Sequence, residues 1–231
     1  MSCLLYCIGR EGLQPGAQRL SGVQGHPVSL VSESGLSAVV SQSDGPDSPP
    51  DVAMVLAYER VVEHFFRQAT VLPMRYRCWL PSPAEVARLL RERCAEYDAR
   101  LRQLDGFSEM GVQILGGGAS RSAPSALADR HDGAESSGAA YLSSRRLHYR
   151  ASDRSACTQN EAIESLCEAL AEVFARRKVE LPPAGAVPLS VYFLVPHGLV
   201  ARFRDVVRSY RAAGDVRLLL SGPWPPYNFA D

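Results

Sequence analysis

The chain has 231 residues, 46% of them apolar and 22% charged, a balance that supports one large or two modest buried cores and excludes disorder throughout. Its 25 Lys plus Arg offset its 25 Asp plus Glu, so no net field draws nucleic acid, an anionic membrane surface or an acidic substrate. Six cysteines (Cys3, Cys7, Cys78, Cys94, Cys157 and Cys167) form neither a CxxC pair nor a dense secreted framework, and no apolar run approaches membrane-spanning length, so a cytoplasmic location is expected.

Leu4, Leu5, Tyr6, Cys7 and Ile8 form an apolar run closed by Gly9, the pattern of a strand covered on both faces. Val28 and Leu30, then Leu36, Ala38 and Val40, alternate on either side of Ser34-Gly35, which predicts a hairpin. From Val52 the period changes. Val52, Val55, Leu56, Val62, Phe65, Phe66 and Ala69 recur at three- and four-residue steps, predicting a helix that buries this stripe, with Asp51 as its cap. Val71-Leu72-Pro73-Met74-Arg75-Tyr76 reads as a strand in which Pro73 has no donor and so belongs at an edge or a bulge. Ser82-Pro83-Ala84-Glu85 is a capping box with Pro at the first helical position; it opens a helix striped by Val86, Leu89, Leu90, Cys94, Tyr97, Leu101 and Leu104, which Gly106 ends.

Glu109-Met110-Gly111-Val112-Gln113-Ile114 reads as a strand. Residues 116–137 are a Gly, Ser and Ala tract with almost nothing to bury, expected to be a mobile loop. Helix resumes near Ala139, and Thr158-Gln159-Asn160-Glu161 makes a second capping box ahead of Ile163, Leu166, Cys167, Leu170, Val173 and Phe174. Val187, Leu189, Val191, Tyr192, Phe193, Leu194 and Val195 are β-branched, aromatic or aliphatic almost without a break, the mark of a central strand. Leu199, Val200, Phe203, Val206, Val207 and Tyr210 stripe a last helix closed by Gly214, and Val216 to Leu220 return as a strand. Strand, helices, strand, helix, strand is the order of a two-layer α+β sheet.

Few of the chemistry-bearing residue types fall at diagnostic spacings. Gly116-Gly117-Gly118 lacks the Lys-Ser/Thr ending of a phosphate loop and reads as linker. Glu59, Glu63 and His64 share the first helix, but His64 lies about 100° round it from Glu63 and no second His follows at four residues, so a solvated face is expected and no metal site. Arg145, Arg146, His148 and Arg150 form the richest basic run, again read as a solvated face. No GxSxG occurs, so nucleophilic catalysis has no starting point. Arg75 and Glu109 are charges set in apolar strands, and two readings stay open: each points outward by alternation, or they form a partly buried ion pair that Glu59 joins. At the end, three prolines around Trp224, followed by Tyr227 and Phe229, make an extended segment bearing large rings. Packing over the protein's own core, as a staple on the C-terminal domain, is the first expectation, with partner binding second.

The ending Leu220-Ser221-Gly222-Pro223-Trp224-Pro225-Pro226-Tyr227-Asn228-Phe229 resembles the LSGPWPPYSF signature of the GvpL/GvpF gas vesicle proteins. Val71 to Tyr76 is similar to that family's VLPMRFG segment, Glu109-Met110-Gly111-Val112-Gln113 to its EWGVK strand, and Gly138-Ala139-Ala140-Tyr141-Leu142 to its GRAYL helix start. Three departures accompany the likeness: Arg77 stands where the family has Gly after the aromatic, Gln113 replaces a Lys, and Ala139 replaces an Arg.

The resemblance implies an α+β protein of two domains, an N-terminal α+β domain over 1–105 and a C-terminal modified ferredoxin-like domain over 106–231, without cofactor or catalysis. It also implies association with gas vesicles and binding to the small, hydrophobic shell protein GvpA, either as a minor vesicle component or as an assembly factor that prevents its aggregation during nucleation, with other vesicle accessory proteins as further partners. Arg75, Glu109, Trp224, Tyr227 and Phe229 are the residues expected to hold the structure or meet the partner. A ferredoxin-like small-molecule regulatory module is the rival function, recognised by a pocket with convergent polar groups, and an enzyme is the second rival.

Overall fold

The computed structural model describes residues 2–16, 20–43, 45, 51–115, 161–180, 189–210 and 217–230. The tract at 116–137, the helix start near Ala139, the basic run Arg145, Arg146, His148 and Arg150, the Thr158 cap and the Gly214 cap lie outside these described residues. The chain forms two compact units, Met1–Met110 with Leu194–Val200 and Gly222–Asp231, and Gly111–Phe193 with Ala201–Ser221. Helix and sheet are mixed throughout, so the protein is of the α+β class.

The first unit is built on a sheet in the order β2-β3-β1-β4, where β1 is Ser2–Arg10, β2 Val28–Glu33, β3 Leu36–Ser43 and β4 Val71–Pro73; a short β5, Trp79–Leu80, also pairs with β1. The hairpin turns at Ser34-Gly35, both with positive φ (54° and 77°), the two-residue turn whose twist matches that of its strands. β1 pairs antiparallel with β3, Ile8 opposite Ala38, with a register shift between Leu5 and Cys7. β4 is an edge strand, and Pro73 sits there opposite Cys7, where its missing N–H costs no ladder bond between central strands. The strand ends at Pro73 instead of running to Tyr76, because the chain turns: the Arg75 carbonyl accepts from the Cys78 N–H at 3.1 Å and Arg77 takes φ +70°.

Helix α1, Val52–Phe66, starts where the Asp51 carboxylate accepts the Met54 N–H at 2.7 Å. Its buried face differs from the expected stripe. Ala57, Tyr58, Val61, Val62 and Phe65 are buried against Leu4, Tyr6, Cys7 and Val39, whereas Val52 and Leu56 are 75% and 52% exposed. Burying a side chain such as Phe65 contributes about 1.5–3 kcal/mol, so the line with four large side chains and Ala57 decides which way the helix faces. The Tyr58 hydroxyl lies 2.8 Å from the Tyr6 carbonyl and 2.6 Å from that of Met74, tying α1 to β1 and to the turn after β4.

The expected helix up to Leu104 is two helices, α2, Pro83–Glu92, and α3, Cys94–Leu104, parted at Arg93 (φ −110°, ψ 18°). The break lets α2 lie along β2 and β3 while α3 lies along β1 and β4, following the twist of the sheet. The Ser82 hydroxyl accepts the Glu85 N–H at 3.3 Å as the cap pattern requires, while the Glu85 carboxylate pairs with Arg88 at 2.5 Å.

A second sheet takes its strands in the order β7-β8-β6-β9, where β6 is Phe107–Leu115, β7 Arg176–Glu180, β8 Leu189–Pro196 and β9 Arg217–Trp224. The apolar β8 is internal, as its composition predicts. β7 carries no sequence signal, being exposed along its whole length. Residues 161–169 are helical (α4), and α5 is Val200–Ser209. Ile163, Leu166 and Leu170 are buried together with Val191, Phe193, Phe203 and Val207; the Phe193 ring lies 5.3 Å from Phe203 and 5.1 Å from Phe174. β9 runs on past Leu220 to Trp224, and its place at the sheet edge tolerates Pro223.

Candidate partner-binding groove

With Ala57, Tyr58, Val61, Val62 and Phe65 turned inward, the helical period puts Leu56, Glu59, Arg60 and Glu63 on the outer side of α1 at steps of three and four. This line forms one wall of an open groove of ≈ 610 Å³. The other wall is Glu109 from β6, Trp224 at the end of β9, and Pro225, Tyr227 and Asn228. All of these belong to the first unit.

The second wall is held in place by specific contacts. Gly222 has φ +102°, and a Cβ there would stand 2.7 Å from the Glu109 carbonyl, so only glycine lets the chain pass β6 at this point. Beyond Pro226 a short 3-10 turn, Tyr227–Phe229, presents the Asn228 backbone N–H and Nδ2, each 2.7 Å from one oxygen of the Glu109 carboxylate. Glu109 is 3% exposed, and charge-assisted bonds of this kind offset the cost of burying its charge. Phe229 is buried, Tyr227 packs on the cluster around Tyr6, Tyr58 and Val61, and the Ala230 carbonyl accepts from Arg100 of α3 at 2.9 Å. The ending therefore staples the unit built mainly from residues 1–110, and the expectation that it folds over the C-terminal domain is corrected. The reason lies in what the tail meets beyond Pro226: Tyr227 packs on the cluster around Tyr6, Tyr58 and Val61 and the Ala230 carbonyl takes the Arg100 bond, while Glu109, itself within 106–231, anchors Asn228.

Trp224 departs from expectation as well, being 43% exposed. With Leu56 it gives the groove exposed apolar surface that no sequence stripe marked as such. The signal was available, since the more complete line from Ala57 to Phe65 excludes Leu56 from the buried face. Arg75 is exposed in the turn after β4 and is not part of the groove lining. Of the two readings of Glu109, it is buried and engaged, with Asn228 holding both of its oxygens.

Glu59 and Glu63 line the groove, whereas the neighbouring His64 ring stands edge-on to Phe65 and 3.0 Å from the Gln68 amide. Among the described residues no group of three or more His, Cys, Asp and Glu is placed to hold a metal ion. Burial pushes the Tyr227 hydroxyl well above the usual tyrosine range, and the nearby carboxylates of Glu59, Glu109 and Glu63 push it further, so it stays protonated. Burial also raises the Cys7 thiol, which acts as a small apolar residue. No helix among the described residues is long and apolar enough to cross a membrane. The groove's chemistry is that of a binding surface: exposed aliphatic and aromatic atoms beside a charged rim.

A family model described as gas vesicle synthesis protein GvpL/GvpF matches residues 2–231. Gas vesicle protein L of Streptomyces sp. (strain CB03234) is 29% identical over 187 residues, which cover 75% of this chain and 67% of that protein. The crystal structure of the gas vesicle protein GvpF from Anabaena sp. PCC7120 is similar over 100% of this chain and 96% of its own, with a TM-score of 0.75 at 18% identity. That of GvpF from Microcystis aeruginosa is similar over 100% and 99%, with a TM-score of 0.73 at 18% identity. At that identity the two structures establish the shared fold.

Proposed function

Because the chain belongs to the GvpL/GvpF family of gas vesicle proteins, we propose that it is a non-enzymatic, cytoplasmic assembly factor that binds the shell protein GvpA and keeps its apolar surface from aggregating while the vesicle wall nucleates. The observation that carries the reading is the open groove between α1 and the tail, where Leu56 and Trp224 stay exposed although most large apolar side chains among the described residues are buried. Exposed apolar surface of a shell subunit templates aggregation, and a partner that offers a matching apolar groove removes it from water. Trp224 and Tyr227 would meet the partner, and Glu109 and Phe229 would hold the wall they stand on. The four-stranded sheet with helices packed on it supports a modified ferredoxin-like second domain.

The test is a light-scattering assay of purified GvpA diluted from denaturant with and without this protein, paired with a pull-down. Suppressed scattering and co-purification, both unchanged by chelator or by removal of nucleotide, are expected. Undiminished aggregation with no capture refutes the reading, and a requirement for metal or nucleotide restores the enzymatic alternative.

A further inference from the structure

We infer that the groove takes an apolar segment that also carries a Lys or Arg, its apolar side chain against Leu56 and Trp224 and its cation against Glu59. This rests on the partner-binding reading above and adds the charge of what is bound.

Among the described residues the groove lining carries Glu59, Glu63 and Glu109, with Arg60 as the cation beside them. Two of these carboxylates are already engaged: Glu109 by Asn228, and Glu63 by Arg67 at 2.6 Å. Arg60 is shared with a second hollow on the other flank of α1, which it lines with Leu20 and Asp51. Glu59 stands three residues along α1 from Leu56, so it is the carboxylate beside the exposed apolar surface. Its negative field reaches the other wall, where it is the foremost of the charges opposing ionisation of Tyr227. An uncharged segment would leave this carboxylate partly desolvated without compensation, and an acidic one would meet like charge; a basic residue complements it.

The probes are two labelled amphipathic peptides of about 14 residues, identical in their Leu and Ala positions, one with a single Lys and the other with Glu in its place. Anisotropy with the full chain is expected to show the Lys peptide binding about five-fold more tightly, the size of one exposed ion pair. Glu59→Gln should bring the two peptides together, Glu59→Lys should reverse their order, and Trp224→Ala should weaken both. Glu59 is exposed, so melting curves of its variants should match the parent. Equal binding of both peptides, no binding of either, or a preference that survives Glu59→Lys overturns the inference. So does self-association in sedimentation that Trp224→Ala abolishes, since the groove would then hold a second copy. GvpA captured in a Trp224-dependent manner without peptide charge preference would sink this inference and leave the assembly reading standing. Charge preference without GvpA capture would do the opposite.

Discussion

Asn228 gives both its backbone N–H and its side-chain amide to the Glu109 carboxylate, one to each oxygen, at 2.7 Å in both cases. Residues 119 positions apart are thereby joined in one charge-assisted pair, which anchors the groove wall that also carries Trp224 and Tyr227. Asn228→Ala removes one of the two bonds, and a bond to a charged group contributes about 1.5–3 kcal/mol. At roughly 2–4 °C per kcal/mol for a chain of this size, the melting temperature should fall by about 3–12 °C. Asn228→Asp should be worse at neutral pH, where two carboxylates meet. Its raised folded-state pKa means that stability is lost as pH rises through the carboxylate range and recovered below about pH 4. Calorimetry at both pH values checks this, and an Asp variant equally unstable at pH 4 would contradict it.

Phe229 and Trp224 should separate cleanly in a melt. Phe229 is 7% exposed, and truncating a buried Phe to Ala costs about 3–5 kcal/mol. Trp224 is 43% exposed, so Trp224→Ala should cost about 1–2 kcal/mol, less than the loss at Phe229, while removing exposed apolar surface from the groove. Denaturant titrations of the two variants, with GvpA binding measured alongside, would show the larger loss of stability for one and loss of binding for the other. A strongly destabilised Trp224→Ala variant would count against the groove.

Arg77 takes φ +70°, a conformation that costs a residue with a Cβ about 1–2 kcal/mol and glycine little. The resemblance to the family places Gly at this position, so the departure is one of local strain. Arg77→Gly should be stabilising by about 0.5–1 kcal/mol, the relief being reduced by glycine's greater freedom in the unfolded chain. Urea midpoints would measure it, and a drop in stability would mean that the Arg77 side chain makes a contact worth more than the strain.

Alkaline unfolding should follow the buried tyrosines. Burial raises the Tyr6, Tyr58 and Tyr227 hydroxyls above their ordinary value near 10. A folded-state pKa above the unfolded one makes the folded state hold more protons, so stability is complete below about pH 10 and falls as pH rises beyond it. Absorbance of tyrosinate should therefore rise in two stages, the exposed tyrosines first and the buried ones, Tyr97 with these three, together with loss of circular dichroism. A smooth titration of all the tyrosines before unfolding would rule out the packing around Tyr58.

Much of the fold was legible because local chemistry decides it. Ser34-Gly35 has a turn that few other pairs accept, Asp51 and Ser82 cap the helices they precede, and the run from Leu189 to Val195 has the composition of an internal strand. The candidate site was legible only in part. Glu109, Trp224, Tyr227 and Phe229 are unusual residues in the sequence, but Leu56 reads there as core because apolar residues at helical spacing look alike until a sheet chooses between two overlapping faces.

The sequence by itself determined the hairpin, the caps and the confinement of Pro73 to an edge or a bulge, features set by steric and hydrogen-bonding preferences within a few residues, and its motifs and order of elements pointed to the family and the α+β class. Only the tertiary structure decided that α1 turns Tyr58 and Phe65 inward and Leu56 outward, and that the tail lies on the unit built from the first half of the chain. Those outcomes depend on which surfaces meet at long range: five buried side chains outweigh one exposed Leu on α1, and Tyr6, Tyr58, Val61 and Arg100, far away in sequence, offer the tail the contacts that hold it while Glu109 anchors Asn228.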